Sequence, residues 1–476
     1  MNRFLRIFLL FAILFLAFVL RTYRINEPLA DWHSWRQADT AAVARGFFDS
    51  GIDLLHPKYE DISEIPSGKF NPQGFRMVEF PIYSAVHAKF YQLIPIGSFE
   101  TSGRLISILF SLISIIFIYL IAKNVSGEFT GLLAAFFFSF LPYNIYYSRV
   151  ILPEPLLIMT MLGSIYFLLK AFSNNKVNIF FYLTAIIFFS LSLLLKPFSA
   201  FFIAPFAIYL IVLNKNSFLK NSAWLIFFGV ISLIPFYLWR QWISQYPKGI
   251  PANMWLLNGD NIRFKGAWFQ WLFGERIGKL ILGYWGTVLL ILGILAPDNK
   301  RKEHWFYLSM LAGSLLYLAV VATGNVRHDY YQILIIPSIC FLLARGAVSL
   351  ISKKTLASFL VFIFCFFGIE ALGWYQVRDY FNINHQEIVI AGQAVEKISD
   401  KSDLVIAPYD GDTAFLYQTN RMGWPIGYNI DDKYKKGADW YVTVKNDFEL
   451  ADLEKKCPIF QKTEFYTIIN LHQCSL

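Results

Sequence analysis

Residues 104–122, RLISILFSLISIIFIYLIA, decide the fold class: nineteen residues carry a single charge, on Arg104 at the first position. As a helix, such a run reaches across the ~30 Å hydrocarbon core of a bilayer. Working outward, comparable apolar runs stand at 4–20, 131–147, 154–171, 179–195, 198–213, 223–239, 280–296, 305–322, 331–349 and 355–374. Together they predict eleven transmembrane helices, although 179–213, interrupted at Lys196-Pro197, is short for two full crossings. Composition agrees. Of 476 residues, 56% are hydrophobic, 18% aromatic and only 16% charged, where soluble globular chains have about one-quarter charged. A cytosolic enzyme is therefore disfavoured and a polytopic all-α membrane protein predicted. Arg3 and Arg6 precede the first run as in a signal peptide. However, Ala17-Phe18-Val19-Leu20-Arg21 offers no small-x-small cleavage site, so an uncleaved anchor is expected.

Lys and Arg set the orientation. With the N-terminus cytoplasmic, the inner connections carry Arg3, Arg6, Lys123, Lys170, Lys176, Lys215, Lys220, Lys300, Arg301, Lys302, Lys353 and Lys354. Glu128, Asp298 and Glu303 oppose them, and the excess equals the +9 of the whole chain. The outer segment 21–103 has 8 basic and 10 acidic residues, and 375–476 has 11 and 15. The positive balance thus reflects topology and excludes nucleic acid as a partner. Two parts follow: a transmembrane domain, 1–374, that includes the first outer loop 21–103, and an extracytoplasmic domain, 375–476. The abundance of Phe, Ile, Lys and Asn suggests an AT-rich prokaryote, hence a bacterial plasma membrane.

The tail reads as a small α/β domain. Ile388, Ala391, Val395 and Ile398 share one helical face, strand-like runs follow at 404–407 and 440–444, and a hairpin pattern covers 459–471. Cys457 and Cys474 flank that hairpin, so a disulfide and a pair of free thiols both stay open in an oxidising compartment. Cys340 and Cys365 fall within spans and read as packing residues. No CxxC suggests structural zinc.

Basic residues in short outer connections run against the positive-inside trend. Arg149, Lys196 and Arg327 are three such residues, with Glu154 and Asp329 near the first and last. Charge at the membrane boundary is costly unless paired or hydrated. One reading is local pairing, Arg149 to Glu154 and Arg327 to Asp329; the other is a shared cationic cavity suited to a lipid-borne phosphate. In the first loop, Asp31-Trp32-His33-Ser34-Trp35-Arg36-Gln37-Ala38-Asp39 leads into Ala41–Phe48, a helix with a small apolar face expected to lie along the interface. Asp39 has the alternative role of capping that helix, and Glu79, before Pro81, that of a carboxylate favoured near a helix start. His33, Asp31 and Asp39 also have the residue types of a divalent-metal site, though no fourth ligand is evident. Trp242, Trp255, Trp268, Trp271 and Trp285 crowd the loop after the seventh span, as an aromatic belt or as sugar-stacking rings.

Over 1–350 the chain resembles the GT-C glycosyltransferases, specifically family 39 with its protein O-mannosyltransferases and lipid A aminoarabinose transferases. The resemblance rests on the first span with its acidic outer loop, Glu79-Phe80-Pro81-Ile82-Tyr83, Gly103-Arg104-Leu105 and Leu141-Pro142-Tyr143. It continues through Ser148-Arg149-Val150-Ile151-Leu152-Pro153-Glu154, Lys196-Pro197 and His328-Asp329-Tyr330-Tyr331. It implies transfer of a sugar from a polyprenyl-phosphate carrier to a glycan, lipid or protein acceptor on the outer face, with inversion. It also implies a carboxylate base in the first loop and a second acidic residue at a later span, which Glu154 matches. Aligning Ala44-Arg45 with the similar pair of the aminoarabinose transferases puts the family's Asp-Glu on Arg36-Gln37. Asp31 and Asp39 both remain as the base, and Asp31-x4-Arg36 is similar to the oligosaccharyltransferase catalytic subunit.

The acceptor hydroxyl needs a base, and the departing phosphate needs fixed cations. His33, Arg36, Glu79, Arg149, Lys196, Arg327, His328, Tyr330 and Tyr331 are the candidate substrate-binding residues, with a divalent metal optional. Two other classes use the same charges: a flippase or transporter of a lipid-linked envelope precursor, and a non-catalytic assembly protein. A flippase needs polar groups continuing through the bilayer.

Overall fold

The computed structural model describes residues 3–174, 176–213, 218–297 and 301–475, so Lys215, Asp298 and Lys300 of the inner connections lie outside the described residues. Every apolar run is mostly helical, with breaks at Leu141 and at 282–285. Among the described residues, six helical stretches are long and apolar enough to cross a bilayer: Arg3–Arg21, Phe99–Ser126, Glu154–Ala171, Phe218–Ile243, Asp329–Ile351 and Leu356–Ile398. Gly266–Ile281 and Gly286–Leu295, bent by 114°, make a seventh if they are one span. Glu128–Phe140, Ile179–Leu195 and Pro197–Leu213 are apolar but shorter.

The chain divides into two units that interleave along the sequence. The helical unit is Met1–Tyr23, Leu105–Trp239 and Asn253–Asp379; the loop–tail unit is Arg24–Arg104, Arg240–Ala252 and Tyr380–Leu476.

In the helical unit, prolines set the breaks that matter. A residue before proline is driven out of the helical region. Accordingly Leu141 (φ −52°, ψ 117°) ends Glu128–Phe140, and Lys196 (φ −156°, ψ 129°) ends Ile179–Leu195 in extended conformation. Elsewhere backbones touch. A Cβ on Gly293 would lie 2.0 Å from the Leu342 carbonyl oxygen, and one on Gly346 2.0 Å from that of Leu289. Helices Gly286–Leu295 and Ile336–Ile351 thus pack through small residues, as membrane helices do where apolar burial gives no drive.

In the loop–tail unit, helix Gln386–Ile398 buries Ile388, Ala391 and Val395 as the periodicity predicts. Five strands follow: β1 Leu404–Ile406, β2 Gly423–Trp424, β3 Ala438–Thr443, β4 Ile459–Lys462 and β5 Thr467–Asn470. Their order is β2-β1-β3-β5-β4, with β2 and β3 parallel to β1, and the β3/β5 and β4/β5 pairs antiparallel. Alternate strand residues feed two hydrophobic clusters, Val405, Trp440, Val442 and Ile468 in one, Ile406, Tyr441 and Ile469 in the other. Cys457 and Cys474 are disulfide-bonded across the hairpin, while Cys340 and Cys365 are buried and free.

The first loop belongs to this second unit rather than with the bundle where the sequence reading grouped it. The reason is a shared core. Ala30 is buried in the first cluster and Ile62 in the second. The Gly423 N–H donates to the Glu60 carbonyl (2.9 Å) and the Ile62 N–H to the Gly423 carbonyl (3.0 Å), extending the sheet past β2.

Candidate active site

The first loop turns into helix Ser34–Ser50 at His33, which adopts a left-handed conformation (φ 55°, ψ 35°) uncommon outside glycine. The helix starts earlier than the sequence indicates, so Asp39 lies inside it and is not its cap. The face expected along the interface is covered by protein: Arg36, Gln37, Asp39, Ala41, Ala44 and Phe47 are all buried. Its small residues let helix Ile82–Leu93 and the tail helix Ala414–Thr419 pack against it.

Asp31 is buried just ahead of that helix. Its Oδ1 accepts from Gln37 Nε2 (2.8 Å), which also donates to the Trp32 carbonyl (3.2 Å). Arg104 Nη2 stands 3.9 Å from Asp31 Oδ2, and the same guanidinium donates to the carbonyls of Ile25 (2.9 Å), Glu27 and Pro28 (3.3 Å). The Gly103-Arg104 motif therefore shapes the turn that presents Asp31. Arg36 Nη2 pairs with Glu79 Oε1 at 2.6 Å, so Glu79 is more than a helix-start carboxylate. Asp39 is engaged on both oxygens, by Arg76 Nη2 (2.6 Å) and by Thr413 Oγ1 (2.9 Å) from the tail. Further along the helix, Arg45 donates to Glu60 (2.7 Å) and to the Tyr417 carbonyl (2.7 Å), and the Tyr417 hydroxyl donates to Glu100 (2.7 Å). Burial pushes the nearby Asp61 and Asp412 carboxyls up to about 6.

In the helical unit, the break at Lys196-Pro197 frees the Lys196 side chain to meet Glu154, the first residue of helix Glu154–Ala171. The Lys196 ammonium also lies over the rings of Tyr330 and Tyr331, 5.6 and 5.5 Å from their centroids. Four sequence-predicted residues thus come together. Glu154 is 1% exposed, and its Oε2 has no hydrogen-bond partner among the described residues.

The local pairings expected for Arg149 and Arg327 are replaced by others. Arg149 is buried and donates to the Tyr23 carbonyl, whereas Arg327 pairs with Asp260 (3.3 Å) at an exposed position, over Trp255. Asp329 accepts from the Tyr147 hydroxyl (2.6 Å) and faces Arg276 at 4.0 Å. His328 makes ring contacts with Trp255, Tyr330 and Tyr331. Of the belt tryptophans, Trp268 is buried, Trp271 and Trp285 are exposed, and Trp242 donates to the Leu55 carbonyl.

Sequence reasoning missed Gln37, Arg76, Thr413, Tyr147 and Arg276. Arg276 lies in the π-helical segment Gln270–Ile281, a geometry frequent at functional sites that the sequence does not announce. Among the described residues no three His, Cys, Asp or Glu side chains are grouped to hold a metal ion. In particular, the carboxylate of Asp39 is turned to Arg76 and Thr413.

Residues 80–240 match the family model described as dolichyl-phosphate-mannose-protein mannosyltransferase. Comparison with curated proteins gives no match. Among solved structures, ArnT from Cupriavidus metallidurans bound to undecaprenyl phosphate superimposes with a TM-score of 0.67 at 12% identity, over 97% of each chain. This chain has the GT-C fold. The same GT-C architecture relates it to the Archaeoglobus fulgidus oligosaccharyltransferase solved with Zn and sulfate (TM-score 0.59, 10% identity, 90% of this chain and 67% of that one). It also relates it to the mycobacterial arabinofuranosyltransferase AftD (TM-score 0.60, 11% identity), where 99% of this GT-C chain covers 40% of the larger protein.

Proposed function

We propose that the protein is a membrane glycosyltransferase that moves a sugar from a polyprenyl-phosphate carrier to an acceptor hydroxyl, with inversion. The observation that carries the reading is the likeness, over 97% of both chains, to ArnT bound to undecaprenyl phosphate. In this reading eleven helices cross a bacterial plasma membrane, the N-terminus is cytoplasmic, and the loop–tail unit is extracytoplasmic. The Cys457–Cys474 disulfide supports that side for the tail, since such bonds persist in oxidising compartments.

The acceptor oxygen attacks the anomeric carbon as the bond from that carbon to the phosphate oxygen breaks. The proton of the hydroxyl passes to a carboxylate, and the phosphate departs on its lipid. Asp31 is the base in this scheme. Asp31 is preferred on the Asp31-x4-Arg36 pattern, and Asp39, which accepts from Arg76 and Thr413, is the second candidate. Lys196, Arg149, Arg36 and Arg327 supply cations for the leaving phosphate, with His328, Tyr330 and Tyr331 as hydrogen-bonding support, and His33 and Glu79 hold substrate. Glu154 fixes Lys196 and offers its Oε2 to a sugar hydroxyl. The charge a divalent ion would supply is assigned to these cations, so turnover insensitive to EDTA is expected.

The test incubates the purified chain with radiolabelled polyprenyl-phosphate hexoses and pentoses. Asp31→Asn is expected to lower transfer by about 10²–10⁴, the usual worth of a general base. Asp39→Asn should keep a larger share of the rate but lower the unfolding midpoint. If the wild type discharges no donor with any acceptor, the transferase reading fails and lipid scrambling by a transporter becomes the next measurement.

A further inference from the structure

Trp32 follows Asp31 in sequence, and its indole is 43% exposed. It is nonetheless tightly held. The ring stacks on Tyr380 (centroids 4.8 Å apart, planes 11° apart), the Trp32 backbone N–H donates to the Tyr380 carbonyl (3.1 Å), and His33 meets the indole edge-on at 5.1 Å. Gln37 joins the Trp32 main chain to the carboxylate, because one side-chain amide donates to both Asp31 Oδ1 and the Trp32 backbone carbonyl. An indole serving only as a headgroup anchor needs no such fixed placement beside a buried acid. Polar groups are close: His33 touches the ring, and the buried Asp412 carboxyl feels the charge of His33. A rigid, amphipathic ring among a few carboxylates and imidazoles suits the two sides of a sugar, an apolar C–H face and a rim of hydroxyls.

We propose that Trp32, stacked on Tyr380 beside Asp31, is a pyranose-stacking subsite, and that the acceptor hydroxyl belongs to a carbohydrate. The inference rests on the transferase reading and specifies its acceptor class. A pyranose lying on the indole comes within a residue of the proposed base, while its hydroxyls find Asp412 and His33.

Saturation-transfer NMR on the full chain in detergent tests it, with maltohexaose, cellohexaose and N-acetylchitohexaose as probes and no donor present. At least one probe should receive saturation on its ring protons. Its affinity should fall roughly tenfold or more in Trp32→Ala, the loss expected of a truncated aromatic anchor, and be largely kept in Trp32→Phe, which also controls for folding. The proposal is overturned if no probe binds, if Trp32→Ala binds like the wild type, or if brominated lipid quenches the emission that Trp32→Phe removes. Saccharide binding needs no donor. Failure of donor discharge alone therefore counts against the transferase reading, and failure of saccharide binding alone counts against this subsite.

Discussion

In the helical unit, Lys196 meets Glu154 across 42 residues of chain and lies over two tyrosine rings. In the loop–tail unit, Asp39 is shared by Arg76 and Thr413, Arg36 meets Glu79, and Arg45 lies between Glu60 and Tyr417. The first arrangement is a single ion pair against tyrosine rings; the second is a mesh in which several polar neighbours share each charge. A buried pair fails badly when one member is lost, since the other is left without its counter-charge. A mesh spreads the loss and ties distant stretches of chain together.

The contrast would break most visibly at Lys196. Lys196→Ala leaves Glu154 buried and uncompensated, which is expected to cost about 3–5 kcal/mol of stability and about 10²–10³ in donor discharge. Lys196→Arg should recover much of the stability. Unfolding in detergent beside the discharge assay checks both, and an Ala variant as stable and active as the wild type would dissolve the distinction. Next in size is the covalent tie of the loop–tail unit. Cys457→Ser opens a bond between residues 17 apart, with an expected loss of about 2–4 kcal/mol confined to that unit. Limited proteolysis of the tail would show it; equal loosening of the bundle would contradict the division into units.

A pH series sharpens the comparison further. Burial raises the Asp61 and Asp412 carboxyls to about 6, so the folded unit holds their protons more tightly than the unfolded chain does. Their stabilising contribution is complete below the ordinary carboxylate range and is lost as pH rises through about 6. The loop–tail unit should accordingly unfold more easily at pH 7 than at pH 4, by about 1–3 kcal/mol. Asp61→Asn should flatten that slope, and a slope of opposite sign would refute the assignment. The smallest effect belongs to Arg327. Its pair with Asp260 is exposed on both sides, so Arg327→Ala should change stability by no more than about 1 kcal/mol. A large fall in donor discharge with little change in stability would then mark Arg327 as a substrate contact.

Much of the architecture was legible in the chain. Apolar runs located the helices, and the face of Ile388, Ala391 and Val395 located the tail helix. The proline after Lys196 foretold an interruption that turned out to present the ammonium. Strand β2 was not legible, because two residues, Gly423 and Trp424, carry no alternation to read. The site was legible in part. Glu154 and Lys196 stand out in the sequence as charges at outer connections, Tyr330 and Tyr331 through the His328-Asp329-Tyr330-Tyr331 motif, and the four lie together. Arg76 and Thr413 were not chosen, because nothing local distinguishes them from ordinary loop residues; their meaning lies in a carboxylate 37 residues from one and 374 from the other.

The sequence by itself determined that this is a polytopic helical protein, where its apolar runs lie, and where its chain breaks. These are properties of short windows, in which solvent preference and backbone sterics act residue by residue. Tertiary structure decided which cation meets which carboxylate, that the first loop shares its core with the tail, and that Asp39 is held by Arg76 and Thr413 while Asp31 is held by Gln37. Those outcomes depend on contacts between residues far apart in the chain. Burial then fixes the partners, because a charge taken out of water must find its complement wherever the fold brings one near.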